Sequence, residues 1–331
     1  MMPHLPLSLQ NLRLPVIASP MFIVSGPELL LAQCKAGIVG SMPALNARPA
    51  SQFDEWLHEI EEELAAWCRQ HPGRAPAPYA INLIVNKTNQ RLDEDLEMVC
   101  RHKVPIVITS LGARQDVNDA VHAYGGIVLH DVVNDRFARK AVERGADGLI
   151  AVAAGAGGHA GIRSPFALIQ EIREWFEGPL VLSGAIATGR AILAAQAMGA
   201  DLAFIGSAFI ATDEANAADA YKRMIVDGTS DDVVYSDFFT GVHGNYLKPS
   251  IEAAGLDPDR LIRDPAVPMR FANHNKPWKD IWGSGQGIGA VREVKSVSDL
   301  VDTLHREYET AAQELDRQVA RARGRSNPAV Q

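Results

Sequence analysis

The chain has 331 residues, of which 47% are hydrophobic and 22% charged, a composition that supports a packed globular core. Its formal net charge is −8 and its lysines and arginines form no cluster, so nucleic acid is not an expected partner. No apolar run approaches the roughly 20 residues that span a bilayer, and the amino end lacks a secretory pattern. We therefore expect a cytoplasmic protein without membrane attachment.

Short apolar runs alternate along the chain with longer amphipathic segments. The runs are apolar throughout, which is typical of parallel strands buried on both faces. Eight of them are predicted as strands: 16–21, 37–42, 79–85, 104–110, 126–132, 148–154, 179–186 and 202–209. The predicted helices between and after them are 27–35, 53–70, 92–102, 115–124, 135–144, 165–176, 189–198 and 213–226. Several are preceded by residues that favour helix N-caps, namely Ser25, Ser51, Asn134, Ser164 and Thr188.

A strand followed by a helix, repeated eight times, predicts an α/β fold with a parallel sheet. A closed (β/α)8 TIM barrel is favoured over an open doubly wound sheet. The reason is that small and polar residues follow the strands, and in a barrel those carboxyl ends meet at one mouth. We predict the barrel over residues 11–227. Beyond Gly228 the alternation stops, and residues 228–322 are predicted to form a smaller, mostly helical and irregular cap over the mouth, ending in a helix from about 297 to 321.

The sixth strand is followed by the run GAGGHAG, residues 155–161. Glycine is the usual residue where backbone must approach a ligand closely or adopt positive φ. The single imidazole in this loop, His159, is largely neutral at neutral pH and able to accept a proton, which makes it the candidate catalytic base. The alternative is a flexible turn whose histidine faces water.

Small residues also follow the seventh and eighth strands. Loops after these two strands of a barrel commonly hold a phosphate with their backbone N–H groups. The predicted phosphate set is therefore Ser183, Gly184, Ala185, Gly206 and Ser207. The alternative is that the glycines only turn the chain. Two matches to G-x-G-x-x-A, at 155–160 and 285–290, lack the first βαβ unit that a dinucleotide fingerprint requires.

The three cysteines, Cys34, Cys68 and Cys100, are widely spaced and lie in predicted helices. They are interpreted as reduced packing residues rather than as disulfide partners or zinc ligands. Histidines and carboxylates show no clear metal-ligand spacing, so we expect no metal.

Several of these motifs together resemble the nitronate monooxygenases, formerly called 2-nitropropane dioxygenases. The similarity covers about residues 11 to 300. It rests on GAGGHAG with SPM after the first strand, INL in the third, LSGAIATG at the seventh, MGADLAFIGSAFIAT at the eighth and a late WGSGQGIG.

The resemblance implies a barrel that binds FMN without a covalent link and that oxidises alkyl nitronates or nitroalkanes with O2 to a carbonyl compound and nitrite. It implies that His159 is the base, that Pro20 and Met21 pass under the flavin ring and that Asn82 lies near its polar edge. The cofactor residues expected on this basis are Ser19, Pro20, Met21, Asn82, His130, Asp131, Ala154, Gly157, Gly158 and the phosphate set.

The chain also departs from many relatives. Met21 to Val24 replace a glycine pair after the first strand, His130 and Asp131 stand where some relatives have a lysine, and Gly155-Ala156 replaces an acidic residue. An NAD(P)H-dependent reductase of quinones or enoyl thioesters, or a flavin-binding protein without turnover, therefore remain alternatives. The cap is expected to contribute His243, Tyr246, Trp282 and Gln286 to a small-molecule site, with Phe238 packing the cap, and a homodimer is the candidate assembly.

Overall fold

A computed structural model describes residues 5–262 and 278–325 of the chain. Its main sheet has eight parallel strands in the order β1-β9-β8-β6-β5-β4-β3-β2. Their bounds are β1 Val16–Ala18, β2 Gly40–Pro43, β3 Tyr79–Ile84, β4 Ile106–Ser110, β5 Ile127–Val132, β6 Gly148–Val152, β8 Leu180–Ser183 and β9 Leu202–Ile205. A two-residue strand, β7 Gly158–His159, belongs to a second sheet.

The ends of the sheet meet, which closes the barrel. Ile17 and Val39 form a parallel bridge between β1 and the residue before β2. The N–H of Ala18 donates to the Val39 carbonyl at 2.8 Å, and the N–H of Val39 donates to Val16 at 3.1 Å. The predicted TIM barrel is therefore confirmed, and the open sheet is excluded.

The barrel encloses an apolar core, to which seven of the eight strands of the main sheet contribute directly. The exception is β2, and Val39, the residue before it, contributes in its place. Its buried members are Ile17, Val39, Ala80, Ile106, Ile108, Leu129, Ile150, Val181 and Leu202, joined by Leu9 from the short helix α1 (Leu7–Gln10). Successive residues on a strand point to opposite faces, so the residues between these face the helices. The alternation fixes which side chains reach the mouth, defined here as the end of the barrel where the strands finish.

Helices follow the strands nearly where the sequence predicts them. They are α2 Pro27–Ala36, α3 Ala50–Gln70, α4 Leu92–Arg101, α5 Gln115–His122, α6 Asp135–Glu143, α7 Pro165–Arg173, α8 Gly189–Ala197, α9 Ser207–Ile210, α10 Asp219–Asp227, α11 Lys248–Ala253 and α12 Val297–Arg325. Asn134 and Thr188 accept N-cap hydrogen bonds. The expected caps Ser25 and Ser51 are wrong, because Gly26 and Pro49 hold those positions.

The predicted eighth strand is too long. It ends at Ile205, and Ser207–Ile210 turns into the short helix α9, so the next long helix begins only at Asp219. An apolar run as short as 207–210 is compatible with either a buried strand or one buried helical turn, and hydrophobicity alone cannot distinguish the two structures.

The region after residue 228 differs from the expected helical and irregular cap. The strands β10 Val233–Ser236 and β11 Gly244–Leu247 pair antiparallel with each other, and β11 also pairs with β7. The last helix, α12, packs on the outside of the barrel instead of over its mouth. There Val301 and Leu304 share a core with Ile192 of α8 and Ala36 of α2. The apolar stripe of α12 therefore packs on α8 and α2, two of the helices that cover the outside of the barrel.

The three cysteines are free thiols, with Cys34 buried, Cys100 partly buried and Cys68 exposed. Burial raises the pKa of Cys34 to about 12, so that thiol is unreactive. Among the described helices none combines the length and the apolar composition that a membrane crossing requires.

Candidate active site

The glycine loop after β6 holds His159 on a short strand. Gly158 pairs with Asn245 and His159 with Gly244, so β11 fixes the backbone on this side of the mouth. The next residue is fixed too, since the N–H of Ala160 donates to His243 at 3.2 Å. The loop is therefore not a flexible turn, and the His159 imidazole is half-buried.

The His159 ring has two neighbours that define its environment. Its Nε2 lies 3.0 Å from Oγ1 of Thr240, and the edge of the Trp278 ring stands at a centroid distance of 5.5 Å. Burial lowers the pKa of His159 below its ordinary value of 6.5, so the ring is neutral at neutral pH.

Thr240 also determines which ring nitrogen carries the hydrogen. Its hydroxyl donates to the Val242 carbonyl at 3.0 Å, and a hydroxyl has a single hydrogen to give. The contact with His159 is then a hydrogen bond only if Nε2–H donates to Oγ1. The lone pair of the neutral imidazole consequently lies on Nδ1, and that atom is the one able to accept a proton.

Backbone conformation and close contacts with residues 284–287 explain some of the glycines of the loop. Gly155 and Gly158 have φ of +85° and +66°. A Cβ on Gly157 would lie 2.8 Å from the backbone nitrogen of Gly285, and the Gln286 N–H donates to the Gly155 carbonyl at 2.9 Å. The segment 284–287 therefore clamps the glycine loop, and this contact joins the late WGSGQGIG motif to the mouth.

The residues expected to bind phosphate gather at the ends of β8 and β9. Ser183 is buried at the end of β8, and Gly184 and Ala185 follow with φ of +148° and +53°. Ser207 begins α9, and its hydroxyl oxygen accepts the Gly285 N–H at 2.8 Å. The Ala185 N–H donates to Gly155 at 3.2 Å, so that amide is already engaged.

The loop after β1 borders the same corner. A Cβ on Gly206 would lie 3.3 Å from Cβ of Ser19 and 3.7 Å from the Met21 sulfur. Pro20 stands between these two residues, on the rim. Ile23 has φ of +70°, an unusual conformation for a β-branched residue. The Asn46 side chain stabilises it, since Oδ1 accepts the Ile23 N–H at 2.9 Å and Nδ2 donates to the Met21 carbonyl at 3.0 Å.

A line of polar side chains crosses the inner face at the ends of β3, β4 and β5. Nδ2 of Asn82 donates to the Ser110 hydroxyl at 2.8 Å. The Ser110 hydroxyl and the Leu111 N–H in turn donate to the Asp131 carboxylate. Burial nevertheless raises the pKa of Asp131 from 3.8 to about 6, because the two hydrogen bonds offset only part of the lost hydration. Ser110 was not among the site residues predicted from the sequence.

His130 does not join this line. It follows Leu129, which faces the barrel interior, and so it points outward to the helices, where Oγ1 of Thr109 lies 2.6 Å from its Nδ1. Burial lowers the pKa of His130 to about 4 and keeps it neutral. The expectation that His130 and Asp131 both line the mouth was wrong, since neighbours on a strand face opposite sides.

The expected substrate residues of the cap are only partly brought together. Tyr246 is fully buried, with its hydroxyl 3.4 Å from Thr240 Oγ1, and so stands behind His159. His243 is exposed and stacks on Tyr235. Trp282 stacks on Tyr221 at 4.8 Å.

The tryptophan beside His159 is therefore Trp278 and not Trp282. Its ring also lies 5.3 Å from that of Tyr246 and 3.6 Å from a Cβ placed on Gly158. Both tryptophans occur in the same short run, KPWKDIWG, and only the pairing of distant strands separates them. Gln286 is exposed next to Gly155, and Phe238 packs in the small core of the second sheet, the role expected for it.

A cavity of about 790 Å3 lies beyond the Met21 loop. The Arg48 guanidinium covers the Phe22 ring at 5.6 Å, and Nη1 of Arg91 donates to the Ala47 carbonyl at 2.6 Å. The cavity is lined by Phe22, Leu45, Arg48, Pro49, Ala50, Ser51, Arg91 and Glu94.

Comparison with known proteins shows which family this chain matches. Residues 6–307 match the family model described as nitronate monooxygenase. A nitronate monooxygenase of Paraburkholderia phytofirmans is 25% identical, over 91% of this chain and 94% of that protein. Among solved structures, FabK from Thermotoga maritima superposes with a TM-score of 0.76 at 21% identity, over 93% of this chain and 96% of that one. Nitroalkane oxidase from Streptomyces ansochromogenes superposes with a TM-score of 0.74 at 22% identity, over 92% and 98%.

Proposed function

The chain belongs to the nitronate monooxygenase family and is an oxidoreductase, and from that premise we propose that it oxidises alkyl nitronates and nitroalkanes with O2, using bound FMN. The products of this reaction are a carbonyl compound and nitrite. The observation that carries the proposal is the position of His159, a neutral imidazole held by Thr240 and β11 at the mouth of the barrel.

Proteins of this family are generally flavoproteins, and the residues at the mouth suit a flavin mononucleotide. Small residues at the ends of β8 and β9 leave room there, and the Ser183 and Ser207 hydroxyls and the Gly206 backbone would bind the phosphate. The flavin ring would be bordered by Asn82, Asp131, Pro20, Met21, Gly157 and Gly158. When bound, FMN would supply the redox chemistry, namely transfer of electrons from the substrate to O2.

The protein's own contribution is proton transfer and exclusion of water. A neutral nitroalkane must lose a proton from the carbon next to the nitro group, and Nδ1 of His159 would accept it while Nε2–H stays on Thr240. Trp278 and Tyr246 keep water from this ring, which holds the imidazole neutral at neutral pH. A nitronate is already an anion and requires no base.

Two measurements test the proposal. Freshly purified protein should carry the yellow flavin chromophore, and anaerobic mixing with a nitronate should bleach it. Bleaching by NADH or NADPH in place of the nitronate would instead identify a reductase of the same scaffold. A colourless protein that does not bind added FMN would contradict the proposal.

His159→Asn separates the role of the base from that of the cofactor. We expect unchanged FMN binding and unchanged turnover of nitronates, but a loss of about 10²- to 10⁴-fold in kcat/KM for neutral nitroalkanes. Wild-type rates with neutral nitroalkanes would remove His159 from the mechanism.

A further inference from the structure

Three side chains with metal-binding atoms converge on the outer helices of the barrel. Asp54 and His58 lie one turn apart on α3, and His102 immediately follows the last turn of α4. One carboxylate oxygen and one nitrogen from each imidazole lie within 4.8 Å of one another. None of the three belongs to the mouth of the barrel or has a part in the proposed reaction.

We propose that Asp54, His58 and His102 bind a Zn²⁺ ion that joins α3 to α4. Tetrahedral zinc with bonds of about 2.0–2.1 Å holds its ligand atoms roughly 3.3 Å apart. Oδ1 of Asp54 and Nε2 of His102 already lie 3.0 Å apart. The His58 side chain is 59% exposed, and its ring meets the His102 ring edge-on at a centroid distance of 4.5 Å. Its Nδ1 lies 2.9 Å from the Asp54 carbonyl oxygen, which leaves Nε2 as the third ligand, and water would supply the fourth.

His102 is oriented as zinc-binding histidines usually are. Its side chain is only 4% exposed, and Nδ1 lies 3.0 Å from Oε1 of Glu61. A carboxylate accepts hydrogen bonds, so Glu61 holds the hydrogen on Nδ1 and directs Nε2 toward Asp54. Such a carboxylate behind the ligand fixes the ring and raises its basicity. Zinc would replace the hydrogen between Nε2 and Asp54, and the proton would leave to solvent.

The surrounding charges favour a cation. A cavity of about 430 Å3 opens over this face of α3 and is lined by Asp54, Glu55, His58, Glu59, Glu62 and Glu63. Two cations pair with this surface. Lys35 lies 2.8 Å from Glu63, and Arg101 has its Nη1 3.1 Å from Asp54 Oδ1 and its Nη2 3.1 Å from Glu97. This arginine is 54% exposed and keeps Glu97 as a partner when a metal takes Asp54. Two imidazole ligands select zinc over magnesium or calcium.

No metal was predicted from the sequence, because one of the three ligands cannot be recognised from spacing along the chain. Asp54 and His58 have the spacing of one helical turn, but His102 stands more than forty residues later. Only the packing of α3 against α4 brings the third ligand to the other two.

Titration calorimetry of ZnCl2 into the full-length, untagged protein after EDTA treatment tests the site. We expect one saturable zinc per chain in the wild type. Asp54→Asn and His58→Ala should each weaken binding by more than about tenfold, and Glu61→Gln by roughly 10- to 100-fold. His58 is exposed, so its variant keeps the fold. Zinc should also raise the thermal midpoint of the wild type but not that of His58→Ala.

Glu59→Gln is the matched control, because it removes the same charge from the same cavity without removing a ligand. We expect wild-type affinity in this variant. Equal losses in Asp54→Asn and Glu59→Gln would show a diffuse acidic surface and overturn the proposal. Wild-type binding by His58→Ala, or the absence of saturable binding in the wild type, would overturn it as well.

Discussion

Replacing Asp131 by asparagine tests the electrostatics of the mouth without changing its shape. The asparagine Oδ1 can accept the same hydrogen bonds from Ser110 and Leu111 that the carboxylate accepts. What changes is the charge, since asparagine cannot ionise. The variant therefore isolates the cost of placing a carboxylate in a partly buried position on β5, between β4 and β6.

The magnitude follows from the raised pKa. With a pKa of 3.8 in the unfolded chain and about 6 in the folded one, the folded state binds more protons between these values. The contribution of Asp131 to the free energy of unfolding therefore falls as pH rises from about 4 to above 6, by about 3 kcal/mol in total. The asparagine variant escapes this loss. Its stability relative to the wild type should be constant below pH 4 and should rise by up to about 3 kcal/mol at pH 8.

Equilibrium urea unfolding followed by tryptophan fluorescence, at intervals between about pH 4 and pH 8, measures this difference. Asp116→Asn is the control, because the Arg114 guanidinium holds the pKa of that exposed carboxyl below its usual value of 3.8. Above about pH 4 this carboxyl is ionised in both the folded and the unfolded chain, so the stability of Asp116→Asn relative to the wild type should stay nearly constant between about pH 4 and pH 8. A stability difference for Asp131→Asn that stays the same at every pH would refute the reasoning about burial.

Three further substitutions examine other contacts. Thr240→Val removes the acceptor for Nε2–H of His159. We expect kcat/KM for neutral nitroalkanes to fall by about tenfold while nitronate turnover persists. Equal losses with both substrates would point to structural damage. Trp278→Ala exposes His159, so the pKa of His159 should rise and the acidic limb of the pH profile for nitroalkanes should move to higher pH. Trp282→Ala is the control, and it should reduce stability but leave that limb in place. Gly189→Ala would put a Cβ 2.2 Å from the Leu304 carbonyl and should lower the free energy of unfolding by roughly 1–3 kcal/mol or more. Gly289→Ala is the control, because its Cβ would meet nothing closer than 3.8 Å and should leave that free energy unchanged. Equal stabilities of the two variants in urea would contradict the packing of α12 on α8.

The sequence by itself determined the barrel and the location of its mouth. Repeated apolar runs with crossover helices leave few arrangements, and small residues at the strand ends mark where the chain must be open to a ligand. The isolation of His159 among glycines is equally local. Strand periodicity also shows that His130 and Asp131, which are adjacent on one strand, cannot face the same side.

Only the tertiary structure decided which distant residues meet. The pairing of β7 with β11 places Thr240 and Trp278 around His159, and no spacing along the chain distinguishes Trp278 from Trp282. The position of α12 could not be predicted either, because an amphipathic stripe shows that a helix is packed on one side but does not identify its partner. His102 meets Asp54 for the same reason. Periodicity reports a residue's own burial, whereas contacts between remote segments depend on the free energy of the whole packed chain.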